Sequence, residues 1–288
     1  MFEACDSPYL VPFDGSFKVE NAPTSLGEIP KKQSEKELRK SIKKLDDLQR
    51  VLMAGDRRSI LLVFQAMDAA GKDSTIRAVM RGINPAGCQV FNFKRPSSNE
   101  LDHDFLWRSS IRLPERGRIG IFNRSHYEEV LVVRVHPEIL DKQRLPQPIN
   151  LDTIWDERMH SIREQELHLA RNGTVVIKFW LNVSKDEQKA RFLSRLDEKE
   201  KNWKFEINDV VERRYWNDYM AAYEHALNGT SRPWAPWYAI PADDKPAMRA
   251  IVAEIVVDTL ASLNLSYPKA SPELKKNVDD IRHELDQS

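Results

Sequence analysis

From residue 59 the chain reads Ser59-Ile60-Leu61-Leu62-Val63-Phe64, then Gln65-Ala66-Met67-Asp68-Ala69-Ala70-Gly71-Lys72-Asp73-Ser74-Thr75, then the helical Ile76-Arg77-Ala78-Val79-Met80. The first six residues are too few and too continuously apolar for a surface helix. They predict a strand buried on both faces, as in a parallel sheet. A strand that turns through small residues into a helix points successive backbone N–H groups at one spot, at the positive end of the helix. That spot holds a phosphate, and Lys72 reaches a more distal one. The fit to the G-x-x-x-x-G-K-[ST] pattern is imperfect, since Ala66 stands for the first glycine and Asp73 precedes the hydroxyls of Ser74 and Thr75. The plain alternative is a Gly-Lys pair at an ordinary helix start; the preceding strand and the run Ala69, Ala70, Gly71 weigh against it.

Similar apolar runs recur at 90–93, 119–122, 175–181 and 237–240. Helical patterns fall between them at 73–81, 101–112, 126–135, 152–171, 184–200, 209–227 and 246–263. Alternating strands and helices predict an α/β domain with a parallel sheet covered on both faces. An earlier helix is expected to start at Ser34, with Ser34 and Glu37 as a capping box and Leu38, Ile42, Leu45 and Leu52 as its apolar stripe, and to end at Gly55. Ser184 with Glu187 predicts a second capping box, and Gly173 and Gly229 sit where helix ends take a left-handed residue. Residues 1–33, with Pro8, Pro12, Pro23 and Pro30, read as an irregular arm lying on the domain surface or on a partner subunit. The domain is expected over 34–265, followed by a tail at 266–288.

Forty-four basic residues balance forty-four acidic ones, so no global field gathers nucleic acid, and any anion must be held by a local cluster. Cys5 and Cys88 lie far apart with no second Cys or His at ligand spacing, which supports neither a disulfide framework nor zinc. No apolar run approaches the ~18 residues a membrane span needs. The expectation is a cytoplasmic enzyme without membrane or nucleic-acid partners.

A carboxylate inside a phosphate loop repels its ligand unless a metal stands between them, so Asp68 is a candidate Mg²⁺ ligand; an Asp used for turn geometry is the alternative. The run at 119–122 delivers Asn123-Arg124-Ser125-His126-Tyr127-Glu128-Glu129 to the carboxyl edge of the sheet, where α/β folds place ligands. Asn123 occupies the spot where many P-loop enzymes carry a magnesium-binding Asp. Arg124 either forks onto phosphate oxygens or pairs with Glu128; spacing alone leaves both open. On the helix from Ser184, Arg191 and Arg195 share one face, either as a kinase lid or as a solvated surface. Asp102-His103-Asp104 resembles a metal cluster, but adjacent helical side chains do not converge on one ion.

Taken together, Phe64-Gln65-Ala66-Met67-Asp68-Ala69-Ala70-Gly71-Lys72-Asp73, Phe93-Lys94-Arg95-Pro96 and Asp104-Phe105-Leu106-Trp107-Arg108 resemble the polyphosphate kinase type 2 family. Ile121-Phe122-Asn123-Arg124-Ser125-His126-Tyr127-Glu128 and Ile240-Pro241-Ala242-Asp243-Asp244-Lys245 continue the likeness, which runs from about 34 to 265. The resemblance implies a three-layer αβα sandwich of the P-loop kinase fold, similar to thymidylate kinase, with a helical lid over about 184–228. It implies transfer between inorganic polyphosphate and nucleotides with Mg²⁺ and a homo-oligomer. It carries roles onto Asp68, Lys72, Asn123, Arg124 and Arg191. Asn at 123 with Glu at 128 is similar to the branch accepting both AMP and ADP, with guanine nucleotides left open.

On that reading the loop residues Ala69, Ala70, Gly71, Asp73 and Ser74 hold phosphate. Lys94, Arg95, Arg134, Arg191 and Arg195 line a basic channel, and Glu128 stands beside the acceptor. The attacking phosphate oxygen is already ionised, so positioning and charge neutralisation suffice without a strong base. Two rivals share these features: an ATP-dependent nucleoside monophosphate kinase and a non-catalytic P-loop module.

Overall fold

A computed structural model of the chain describes residues 1–146, 148–198, 200, 202 and 207–288. Five strands, β1 (Ser59–Gln65), β2 (Cys88–Asn92), β3 (Ile119–Asn123), β4 (Thr174–Asn182) and β5 (Trp237–Pro241), form one sheet in the order β2-β3-β1-β4-β5. Every pairing is parallel, and each apolar run of the sequence lies in one strand except for Phe93, which follows the end of β2. β1 and β3 are buried along their whole length, which is why they are apolar on both faces. The chain leaves β1 toward β2 on one side and leaves β3 toward β4 on the other. Their carboxyl ends therefore flank a crevice from which two loops diverge, the usual ligand position in open α/β sheets.

On one face α1 (Lys31–Gly55) packs on α10 (Lys245–Ser262), which also contacts α2 (Lys72–Val79). On the other, α6 (Ile154–Arg171) packs on α9 (Trp216–Thr230) and on β4. The result is the expected three-layer sandwich. Shorter helices are α3 (Ser98–Leu101), α4 (Trp107–Ser110), α5 (Val132–Val135), α7 (Lys185–Asp197) and α8 (Ile207–Glu212), with α11 (Pro272–Gln287) in the tail.

Several local expectations are corrected. α1 starts at Lys31, so Ser34 is a buried residue of its first turn and not a cap. In place of one helix over 101–112 there are two single turns, Ser98–Leu101 and Trp107–Ser110, because the Asp104 carboxylate accepts from Leu106 N (2.9 Å) and diverts the backbone between them. The real capping box there is Ser97 with Glu100. Residues 126–135 wind as a 3₁₀ segment (His126–Val130) and then α5, and 209–227 are broken by a 3₁₀ turn at Arg213–Tyr215. Ser184 does cap α7 by accepting from Glu187 N, but the Glu187 carboxylate turns to Arg191 and not back to the cap. Gly173 has φ of +89°, as a helix end wants, whereas Gly229 lies inside α9. A Cβ there would collide with Met159, so this glycine serves the close approach of α9 to α6. The expected helix 184–200 and lid 184–228 include 199, 201 and 203–206, which lie outside the described residues.

The N-terminal arm lies on its own domain. Leu10 bridges Tyr238 in antiparallel fashion, Val11 N donates to Trp237 O (2.9 Å) and Ala239 N to Tyr9 O (2.8 Å). The arm thus pairs with β5 at the sheet edge and buries Phe2 and Val11.

Candidate active site

The loop between β1 and α2 closes over small side chains: Ala66, Ala69 and Ala70 are buried, Ala69 has φ of +63° and Gly71 φ of +107°. The left-handed turn that needs glycine is at 71, and Ala66 has no positive φ, so the missing first glycine of the motif costs nothing here. Lys72 is only 9% exposed, and its Nζ folds back to donate to Ala66 O (2.7 Å) and Met67 O (3.4 Å). Burial first, then the Arg124 charge, push its ammonium down to about 8. Ser74 Oγ and Thr75 Oγ1 both donate to Gly71 O at 3.0 Å, which stiffens the loop–helix junction.

β3 is paired with β1 so that Asn123 stands opposite Phe64. Arg124 N donates to Phe64 O (3.0 Å), and its φ of +62° swings the side chain toward the loop. There Arg124 Nη2 meets Asp68 Oδ1 at 2.5 Å and Nη1 meets Glu128 Oε2 at 3.1 Å. The choice the sequence left open between loop and Glu128 resolves as both, and Glu128 first, then Asp68, raise the guanidinium pKa well above its usual range. Asn123 Nδ2 donates to Asp73 Oδ1 at 2.5 Å. Tyr223 of α9 backs the group; burial, then the Glu128 charge, hold its phenol un-ionised. His126 is buried beneath the site and driven down to about 3 by burial and then Lys178, so it is a neutral packing ring.

α7 meets the loop from above. Arg191 is buried, with Nε on Glu187 (2.7 Å), Nη1 on the carbonyls of Ala69 (3.1 Å) and Ala70 (2.7 Å), and Nη2 on those of Ala242 (2.6 Å) and Asp243 (2.9 Å). It clamps the P-loop to the segment after β5, which corrects the picture of an arginine on an exposed helix face. Arg195 is half-buried and 3.8 Å from Asp209. Arg134 faces His225 of α9. Lys94 and Arg95 are exposed just past the carboxyl end of β2.

Sequence reading missed Gln188, whose Nε2 donates to Asp68 O (2.9 Å) while its Oε1 accepts from Arg213 (2.6 Å), and it missed Tyr223. Both reach the site across the fold, and no local motif marks them. Asp102 pairs with Arg144, His103 stacks on Trp107 and Asp104 caps Leu106, so the apparent cluster points three ways. Asp243 and Asp244 are caps: Asp243 accepts from Ser184 N and Asp244 from Ala247 N.

A phosphate loop at a strand-to-helix turn, faced across a switch point by an arginine between two carboxylates, defines a P-loop phosphotransferase. The Polyphosphate kinase 2 (PPK2) family model matches residues 28–267. An ADP-polyphosphate phosphotransferase of Rhodopseudomonas palustris is 55% identical over 249 residues, 86% of each chain. An AMP/ADP-polyphosphate phosphotransferase of Meiothermus ruber is 42% identical over 273 residues, 94% of this chain and 98% of the relative. The crystal structure of polyphosphate kinase 2 from Arthrobacter aurescens TC1 superposes with a TM-score of 0.86 at 33% identity, covering 98% of this chain and 99% of that one. The chain belongs to the polyphosphate kinase 2 family.

Proposed function

We propose that the chain transfers a phosphoryl group from inorganic polyphosphate to AMP and to ADP, reversibly and with Mg²⁺. The observation that carries this reading is the convergence of Lys72, Arg124, Asp68 and Glu128 at the carboxyl ends of β1 and β3. Support for the donor and the acceptors comes from the activities named for the relatives. Reversibility follows from chemistry, since one phosphoanhydride is exchanged for another.

Among the described residues no three His, Cys, Asp or Glu side chains form a cage for a metal. Magnesium needs none, because it keeps waters and takes one or two carboxylates together with substrate phosphates. The donor set fits: Asp68 is a carboxylate within the phosphate loop, one-third exposed, with one oxygen on Arg124. Asp68 would hold the ion, which supplies charge neutralisation at the phosphate oxygens. The chain's own residues do the rest. Backbone N–H groups from Ala69 to Lys72 orient the donor phosphate, and Lys72 swings from the loop carbonyls to a phosphate oxygen. Arg124, always charged, exchanges a carboxylate partner for the phosphoryl in flight. The acceptor oxygen is already ionised, and the neutral, buried His126 takes no proton. We read residues 184–228 as the lid. The half-exposed leucines of α7, Leu193 and Leu196, offer apolar surface to a second copy in a homo-oligomer, and the nucleotide substrates place the enzyme in the cytoplasm.

The test supplies AMP, Mg²⁺ and polyphosphate as the sole high-energy phosphate and follows nucleotides by chromatography. ADP and then ATP are expected. Turnover with ATP and none with polyphosphate would establish the monophosphate-kinase alternative, and conversion of ADP alone would restrict the acceptor range.

A further inference from the structure

Past its pairing with β5, the arm crosses the flank of α9 and the carboxyl end of β4. One amide holds the backbone of Phe17 from both sides, since Phe17 N donates to Asn228 Oδ1 (3.1 Å) and Asn228 Nδ2 donates to Phe17 O (2.9 Å). Glu224, one turn earlier on α9, commits both oxygens to the next two residues: Oε1 accepts from Lys18 Nζ (2.8 Å) and Oε2 from Val19 N (2.9 Å). A 3₁₀ turn at Val19–Asn21 follows. Asn182, the last residue of β4, then donates through Nδ2 to Ala22 O (3.1 Å) and Pro23 O (3.2 Å). Asn228, Glu224 and Asn182 thus do for this backbone what a neighbouring strand would do.

The anchoring presents the half-buried Phe17 ring to the core. It meets Trp180 of β4 edge-on, with centroids 6.2 Å apart at 89°, and Trp180 meets Tyr223 of α9 at 5.4 Å. Trp180 Nε1 is buried with no hydrogen-bond partner among the described residues, so packing and not a hydrogen bond orients the indole. Tyr223 is buried, and the charges of Glu128, Arg124 and Asp68 bear on its phenol. Its helix also packs on the 3₁₀ segment His126–Val130 that carries Glu128. A line of rings therefore runs from the arm to the Arg124 side of the site. The same segment of the arm ends on the phosphate-loop side, where Asp243 N donates to Thr24 O (2.9 Å) and Asp243 O is one of the carbonyls by which Arg191 clamps the loop.

We propose that residues 17–24 belong to the scaffold of the active site and that Phe17 is a positioning residue for the transfer, wedging Trp180 and Tyr223 against the Arg124–Glu128 pair. The inference rests on the phosphotransfer reading above. Phe17 acts by limiting how far Tyr223, and with it Arg124, moves from the place where the phosphoryl passes. Interiors are close-packed, so a ring removed at one end of such a line leaves space into which the next rings relax.

Phe17→Ala tests the proposal against Phe2→Ala, which removes an equal ring from the start of the arm, where Ala4 and Cys5 bond Pro233 and Tyr238. ADP formation from AMP, Mg²⁺ and polyphosphate is measured well below both melting temperatures, beside hydrogen exchange of peptides spanning 119–128 and 219–227. Because a misplacement of ~1 Å far from the chemistry can cost ~10²-fold, Phe17→Ala is expected to lower kcat about five- to tenfold, with KM for polyphosphate changed by less than about twofold. Exchange should quicken in both peptides, and Phe17→Tyr, which keeps the ring, should restore rate and exchange. Phe2→Ala should lower the melting temperature at least as far and leave kcat and both peptides at the parent's values. A parent-like kcat in Phe17→Ala, or an equal loss in Phe2→Ala, would overturn the positioning role. A parent chain that made no ADP from polyphosphate would instead overturn the functional reading, and unchanged exchange in Phe17→Ala would then still overturn the wedge.

Discussion

A lysine buried in the phosphate loop and facing a guanidinium binds its proton weakly, which is why the Lys72 ammonium falls to about 8 from an ordinary 10.5. The charged form attracts phosphate, so in the free enzyme this attraction is present below about pH 8 and fades above it. Bound phosphate favours the charged form and moves the loss upward. kcat/KM for polyphosphate should therefore decline above about pH 8, while kcat holds to higher pH. Coincident limbs in both profiles would deny Lys72 this role. At Asn123 the amide donates to Asp73 at 2.5 Å. Asn123→Asp would set two carboxylates in contact, which one proton or one cation must resolve. A cation recruited there favours the acceptor with two phosphates to bridge it, so kcat/KM should fall more for AMP than for ADP. Initial rates on both acceptors decide, and an unchanged AMP-to-ADP ratio would move acceptor choice to Glu128. Lys72, Asp68, Asn123 and Arg124 were legible because each sits within a few residues of a strand end. Gln188 and Tyr223 were not, because the tertiary crossing of α7 and α9 brings them in.

At the scale of elements, α7 works through Arg191. Its guanidinium bonds four carbonyls from two loops and is 7% exposed, so its loss strands buried acceptors as well as loosening the P-loop. Arg191→Ala should cost about 2–4 kcal/mol by denaturant melts and lower the rate with every donor. A variant of full stability that lost only polyphosphate turnover would restore the exposed-lid picture. Strand positions were readable because a strand buried on both faces must be largely apolar, as β1, β3 and β5 are, and β4 keeps that character on either side of Lys178. Helix boundaries were less so. The backbone at 101–112 and 126–135 leaves the α-helix where Asp104 and Ser125 side chains bond it locally, and such competition leaves the hydrophobic period nearly intact.

Across the whole molecule, one polar network runs through an apolar core. Lys178, in the middle of β4 and 0% exposed, meets Glu166 of α6 at 2.5 Å and Thr230 O at 2.9 Å; Tyr127 OH donates to the other Glu166 oxygen at 2.8 Å. Burial pushes Lys178 down and Glu166 up, each opposed by its partner. Glu166→Gln, which leaves a buried ammonium, should destabilise by about 3–5 kcal/mol, whereas Lys178→Met with Glu166→Leu should cost less; the reverse order in urea melts would show that the pair is not coupled. The sequence hid this pair inside what read as an apolar run. It also hid where the arm goes, since a proline-broken segment carries no period to follow. The arm covers β5, whose outer backbone would otherwise present unpaired N–H and C=O groups to any passing strand. Removing residues 1–12 takes away the Tyr9, Leu10 and Val11 pairing and uncovers the sites of Phe2 and Val11. Full burial of two such side chains is worth on the order of 3 kcal/mol, and Tm should fall by roughly 5–10 °C for a domain of this size. Light scattering should show association on warming, because the bared edge is a template. The Lys72–Arg124 group stands at β1 and β3, two strands in from β5, and its bonds go to the loop carbonyls, Asp68 and Glu128 and not to residues 1–12, so kcat at low temperature should change little. A truncated chain that melts with the parent and stays monodisperse would mean that the arm rides on β5 without protecting it.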